Sequence, residues 1–131
     1  MRIWAWVAVG SALGGGVRFV ARDLFELLGT LSFPWDTLFV NITGSLLIGF
    51  FATLTEPDGR LMLPTHIRQF VMTGFCGGYT TFSILSLESL ALIERSPWLG
   101  GLNLALTALT CLLAVWCGHM LARRLNQLTW G

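Results

Sequence analysis

The stretch Thr73-Gly74-Phe75-Cys76-Gly77-Gly78-Tyr79-Thr80-Thr81-Phe82-Ser83 decides how this chain is read. It lies inside an apolar segment running from about Thr65 to Ile93, long enough to cross a bilayer as a helix. Yet two adjacent glycines followed by two β-branched threonines make a poor continuous helix. A helix broken at membrane depth survives only where its freed backbone groups are buried in protein or line a cavity. Unwound carbonyls at such a break can coordinate a cation, and half-helix N-termini attract anions. The stretch therefore predicts a third transmembrane helix, broken mid-membrane, beside a functional site. Past the break, Phe82, Ser86 and Ser89 fall near one helical face, and Thr81, Leu85 and Glu88 near the next.

Three further segments flank it. The first runs from about Ile3 to Leu28 and carries Arg18, Arg22, Asp23 and Glu26 towards its far end. The second runs from about Trp35 to Thr55, after the helix-start signal of Ser32 and Pro34. The fourth follows Ser96-Pro97, runs from about Trp98 to Leu121 and ends at Arg123 and Arg124. Residues 1–131 thus read as one domain of four transmembrane helices, about 3–28, 35–55, 65–93 and 98–121. The first segment is too long for a signal-peptide core and lacks a convincing small-x-small cleavage site. Trp4, Trp6, Trp35, Trp98 and Trp130 fall near the expected membrane boundaries, where amphipathic rings favour the headgroup layer; only Trp116 lies within a segment.

Composition agrees. Apolar residues make up 54% of the 131 and charged residues 11%, against roughly 25% charged in a soluble domain. A soluble chain this small would need many charges to cover its surface. The net charge of +1 suggests neither nucleic acid nor an acidic partner. All eight basic residues are arginine. Cys76, Cys111 and Cys117 show no paired metal-ligand spacing and read as small buried apolar side chains. His66 and His119, near the boundaries, carry no signal.

Four helices place both termini on one side, with Arg2, Arg60, Arg68, Arg123 and Arg124; the other side holds Arg22, Arg95 and, nearby, Arg18. So small a bias weakly favours cytoplasmic termini and is compatible with insertion in both orientations. Gly10 and Gly14, and Gly74 and Gly78, have the spacing that lets helix backbones approach closely. The expectation is homo-oligomerisation, with packing inside one chain explaining these glycines equally well.

Polar residues at membrane depth are costly and mark function. Thr37, Asn41 and Ser45 form one four-residue stripe, with Gly44 beside it; Asn103, Thr107 and Cys111 form another. Helix–helix hydrogen bonding is the commonest use of such stripes. Two of them beside a broken helix point to an ion pathway. Glu88 reads three ways: snorkelling, pairing with an arginine, or taking part in conduction. Arg18, after Gly14-Gly15-Gly16, is either a structural helix-end arginine or the wall of a water-filled vestibule.

These residues together resemble the Fluc family of fluoride channels, also called CrcB. The resemblance covers nearly the whole chain. It rests on Gly15-Gly16-Val17-Arg18, Phe39-Val40-Asn41-Ile42-Thr43-Gly44, and the third-segment stretch trailed by Glu88. It implies an all-α antiparallel, dual-topology homodimer with two separate pores, in the inner (plasma) membrane as a multi-pass protein. It implies that Asn41 is the pore asparagine and Phe82 the first of two pore phenylalanines. Thr107, with Asn103 and Cys111, falls on the family's polar track of the last helix, and Arg18 near the pore entrance. Gly77 and Thr80 match the break whose backbone carbonyls, from both subunits, hold a structural sodium ion, the one cofactor implied. Leu85 departs from the pattern: it stands where the family has the second phenylalanine.

The residue types suit a small, tightly hydrated anion. The amide of Asn41 and the hydroxyls of Ser83 and Thr107 can donate hydrogen bonds in place of water. Phe82 can turn its positive ring edge to the ion; Leu85 lines the path without coordinating. No basic residue lies between Trp35 and Leu54 or between Val71 and Ile93, so nothing there would trap an anion. The expected function is a passive fluoride-selective channel, not an enzyme, with fluoride, a second copy and lipid as partners. Two alternatives stand beside it. A small proton-coupled multidrug exporter needs a central carboxylate, for which only Glu88 is available. A non-transporting subunit of a membrane assembly explains the small residues but not the polar stripes and the break.

Overall fold

The computed structural model describes residues 2–29 and 32–128; Trp130 lies outside them. Helix α1 spans Ile3–Leu27. The chain then turns at Gly29, whose φ of 72° is left-handed and open to glycine without steric cost. Helix α2 spans Trp35–Leu54, with Asp36 in the first turn, where the helix dipole favours an acid. Helix α3 (65–79) has three parts: an α-helical turn at Thr65–Gln69, a π-helical run at Phe70–Cys76 and a last turn at Gly77–Tyr79. Helix α4 spans Ser83–Arg95, and α5 spans Pro97–Gln127 with proline at the first helical position, where its missing N–H costs nothing.

Among the described residues there is no strand. The spans Ile3–Leu27, Trp35–Leu54, Thr65–Arg95 and Pro97–Gln127 are each long and apolar enough to cross a membrane. Large apolar side chains cover the outside, among them Leu13, Phe19, Leu109, Leu112 and Trp116. That surface suits lipid and would be untenable in water. Helix α5 continues past Leu121, because Arg123 and Arg124 end an apolar segment without ending backbone hydrogen bonding.

The helices pack in two close pairs. Helix α1 lies against α3 with backbones nearly touching. A Cβ on Gly14 would collide with the Phe75 carbonyl, and one on Gly78 with the backbone of Ser11. Ser11 Oγ adds a hydrogen bond to the Gly74 carbonyl at 3.3 Å. The Gly10/Gly14 and Gly74/Gly78 pairs are therefore consumed within one chain, and the inference from them to oligomerisation does not hold. A second extensive interface joins α2 and α5. There Gly49 meets the Val115 backbone and Gly118 the Leu46 backbone. Helix α4 packs on α5 next to it.

The interruption of the third span also differs from its expected cause. Gly77 and Gly78 remain helical, and the chain leaves the helix only after Tyr79, with Thr80 extended at φ −80°, ψ 160°. Gly78 is needed for contact with α1, not for unwinding. The backbone departs where a side chain on α2 takes hold of it.

Candidate functional site

That side chain is Asn41. It is buried on α2 and grips Thr81 from both sides: Nδ2 donates to the Thr81 carbonyl at 3.0 Å, and Oδ1 accepts the Thr81 N–H at 2.8 Å. The asparagine thus replaces the helical partners that Thr81 has lost. Its amide still holds one N–H beyond the one spent on Thr81. Thr80 Oγ1 turns back to the Cys76 carbonyl at 2.9 Å and closes α3. Thr81 Oγ1 accepts the Ile84 N–H at 3.2 Å and opens α4. The break is a junction between two helices, held from outside by Asn41 on Thr81 and by Arg18 on the Thr80 carbonyl.

Asn41 and the junction form part of the wall of a cavity of about 800 Å³, between α2, α3, the start of α4 and α5. Thr107 and Leu85 complete it, with Gly77 and Thr80 beside the junction and Phe82 at hand. No charged side chain lines it. Thr107 is only 4% exposed, and its hydroxyl oxygen has no hydrogen-bond partner. A buried hydroxyl without a partner costs stability, so a site for a ligand or water is its usual justification. Phe82 and Leu85 behave oppositely: the phenylalanine is 76% exposed and the leucine 6%.

The remaining sequence candidates lie elsewhere. Asn103 is buried one turn from Thr107 and donates from Nδ2 to Ser89 Oγ at 2.9 Å, joining α5 to α4; its Oδ1 has no partner. It does not line the cavity. Ser83 is exposed and lies 3.3 Å from the Thr81 hydroxyl. Glu88 borders a separate cavity of about 210 Å³ with Arg22, Asp36 and Arg95, and its Oε2 is buried without a hydrogen-bond partner. Arg18 lines a third, small cavity near Thr37 and Thr81 and donates from Nη1 to the Thr80 carbonyl at 3.4 Å. Thr37 therefore leaves the stripe of Asn41 and Ser45 and joins the charged end of the molecule.

The sequence reading missed three features. The grip of Asn41 on Thr81 spans 40 residues and leaves no local signal. His119, read as without signal, pairs its Nδ1 with Thr53 Oγ1 at 2.7 Å across the α2–α5 interface. The cysteines, expected to be buried alike, divide: Cys76 is buried, Cys111 half-buried and Cys117 exposed.

Four apolar membrane-capable spans, three of which enclose an uncharged, hydrogen-bonding cavity, define a multi-pass membrane protein. Residues 5–119 match the family model described as "CrcB-like protein, Camphor Resistance (CrcB)", and the chain belongs to that family. It is 52% identical over 128 residues to a protein of Rhodopseudomonas palustris named "Fluoride-specific ion channel FluC 1", covering 96% of this chain and 90% of the relative. It is 47% identical to a "Fluoride-specific ion channel FluC" of Paramagnetospirillum magneticum, covering 97% of this chain and all of the relative. A third relative of the same name, from Rhodospirillum rubrum, is 46% identical over 125 residues.

Proposed function

We propose that this chain is a passive fluoride-selective channel of the inner membrane, whose pathway runs along the uncharged cavity. The observation that carries the assignment is the buried, unpartnered hydroxyl of Thr107, a residue that lines the same cavity as Asn41, in a chain sharing about half its residues with named fluoride channels. A fluoride ion crossing here exchanges water for neutral donors: the remaining N–H of Asn41 and the hydroxyl of Thr107. The N-terminus of α4, at the junction, adds its partial positive charge. The edge of Phe82 adds a weak attraction. None of these holds the ion by a full charge, so exit stays as easy as entry. Direction follows from physics alone. Neutral hydrogen fluoride enters, dissociates in the less acidic cytoplasm, and the anion is driven out by the membrane potential at about 2.3 kcal/mol per 100 mV. The large exposed ring of Phe82 and the open side of the cavity favour an antiparallel second copy as the missing wall.

A structural sodium ion at the junction fits the donor set. The Thr81 N–H that would bond the Gly77 carbonyl is committed to Asn41, and Gly77 has open space where a side chain would be. The Thr80 carbonyl is shared with Arg18. Two hard carbonyl oxygens per chain are too few for a sodium ion, and a second copy would double them. Gly77 and Thr80 would hold it, and it would supply a fixed positive charge that ties two junctions together.

The exporter alternative is not favoured, because the one carboxylate it needs, Glu88, lies outside the large cavity beside Arg22 and Arg95. The test is efflux from fluoride-loaded liposomes read with a fluoride electrode, with chloride as control. Fast fluoride release without chloride release is expected. Equal release of both, or none from well-folded protein, would overturn the assignment.

A further inference from the structure

The charged end of the molecule carries two adjoining depressions that the anion pathway does not use. One is an apolar groove of about 410 Å³ between α1 and α2, lined by Phe25, Trp35, Leu38, Phe39 and Ile42. Its two walls touch, with the rings of Phe25 and Phe39 5.5 Å apart. The other is the charged cavity of about 210 Å³. The two meet: Phe25 lines both, and Phe33 of the charged cavity lies 4.9 Å, ring to ring, from Trp35 of the groove. Trp35 is nearly half exposed at the start of α2, where an amphipathic ring marks the headgroup layer. An aromatic groove on a membrane-capable helix pair that runs into a charged pocket at the span ends matches the two parts of a phospholipid. The charges say which headgroup. Two arginines, Arg22 and Arg95, stand against three carboxylates, Glu26, Asp36 and Glu88. Arg22, Asp36 and Glu88 are close enough for their charges to act on one another. An anionic headgroup would meet a surplus of negative charge there. A headgroup with both a phosphate and an ammonium finds a partner for each. Oε2 of Glu88 is buried without a hydrogen-bond partner and calls for an N–H donor. A primary ammonium has three such N–H groups and a quaternary one has none. Arg22 gives its Nε–H to Glu26 at 3.2 Å, and its guanidinium fork has further N–H groups for a phosphate.

We propose that this end of the chain is a binding site for a zwitterionic phospholipid with a primary ammonium, of the phosphatidylethanolamine class. An acyl chain lies in the Phe25–Phe39 groove and the headgroup enters the charged cavity. The ammonium donates to Oε2 of Glu88, and the phosphate accepts from Arg22 and Arg95. Lipid tails are as apolar as the groove, so burial of the chain adds little preference of its own. The groove fixes position, and the headgroup contacts select. The site lies apart from the large cavity and does not rest on the channel assignment. Glu94, exposed on the same helix as Glu88 and outside both depressions, is a built-in control.

The experiment uses the full-length protein in detergent and native mass spectrometry, which counts bound lipid and protein copies together. The probes are dioleoyl phosphatidylethanolamine, its N-methyl and N,N-dimethyl forms, phosphatidylcholine and phosphatidylglycerol, each at the same concentration. Phosphatidylethanolamine should be retained about tenfold over phosphatidylcholine, the scale of one hydrogen bond to a charged group. Retention should fall stepwise as methyl groups replace N–H, and phosphatidylglycerol should also bind more weakly than phosphatidylethanolamine. Glu88→Gln should cut the preference for phosphatidylethanolamine to about twofold or less, the scale of a neutral hydrogen bond, with phosphatidylcholine retention unchanged. Glu94→Gln should leave the full preference in place. Phe39→Ala should lower retention of both lipids by about threefold, the scale of one aromatic contact. Equal retention of phosphatidylethanolamine and phosphatidylcholine by the unaltered protein would overturn the site, as would a tenfold preference that survives Glu88→Gln. Phe39→Ala that changes the number of protein copies and not the lipid retained would give the groove to a second copy and overturn the lipid reading. Should Glu88→Gln fail to fold, the methylation series on the unaltered protein decides alone: a flat series overturns the proposal and a graded one supports it.

Discussion

The large and the small cavity of this molecule solve opposite problems a few turns apart. The large one is lined by Asn41, Thr107, Phe82 and Leu85 and has no charged side chain. The small one gathers Arg22, Glu26, Asp36, Glu88 and Arg95, with an Arg22–Glu26 ion pair at 3.2 Å. Charges concentrate at one end of the bundle, with Oε2 of Glu88 buried among them. Neutral donors are kept where an ion would have to shed water. The difference teaches that a pathway for a strongly hydrated anion is better made from many weak dipoles than from one strong charge, because a buried arginine would bind the ion and keep it.

Breaking that contrast should have graded effects. The largest is expected from Asn41→Asp, which removes the donor to the Thr81 carbonyl and sets a negative charge on the uncharged wall. A like charge at about 4 Å costs about 4 kcal/mol at an intermediate effective dielectric, so fluoride efflux from liposomes should fall by roughly a hundredfold or more. Undiminished efflux would move the pathway away from Asn41.

Gly14→Val comes next. Its side chain would meet the Phe75 carbonyl, and overpacking of this kind costs about 1–3 kcal/mol. Thermal unfolding in detergent should shift downward by a matching amount, whereas Gly16→Val, with open space around it, should leave the transition in place. Equal shifts for the two would show that the α1–α3 contact is not as close as described.

Phe82→Ile should lower efflux by about tenfold or less, the scale of one ring-edge contact of about 1 kcal/mol. The comparison sharpens with Leu85→Ala: the leucine offers no quadrupole, so its loss should act on folding stability before it acts on flux. The smallest effect is expected from Glu88→Gln. The residue borders the charged cavity and not the large one, so efflux should change by no more than about twofold, as for a partly solvated charge. A large loss would place Glu88 on the pathway after all.

Much of this was legible in the residues. Thr65–Ile93 could be recognised as a span, and its Gly-Gly-Tyr-Thr-Thr run as a weak point, because helix propensity and bilayer thickness act locally. Thr107 and Asn41 could be singled out because a polar group in an apolar segment is conspicuous in any sequence. The position of the break could not, since it depends on Asn41 reaching Thr81 from another helix. Nor could the parting of Asn103 from Thr107, one turn apart on α5, of which one bonds Ser89 and the other faces the cavity. Helical periodicity puts both on one stripe; only the neighbouring α4 separates them. Gly10, Gly14, Gly74 and Gly78 show the same limit, since their spacing announces a close approach without saying to what.

The sequence by itself determined four segments long and apolar enough to cross a membrane and a run of poor helix formers in the third. Hydropathy, length and backbone propensity are properties of consecutive residues and need no partner. Tertiary structure alone decided which polar groups share a cavity, which carbonyls lose their helical donors and which glycines are spent inside the chain. Those outcomes turn on distances between residues far apart in the chain, where a single hydrogen bond or one missing Cβ fixes the arrangement.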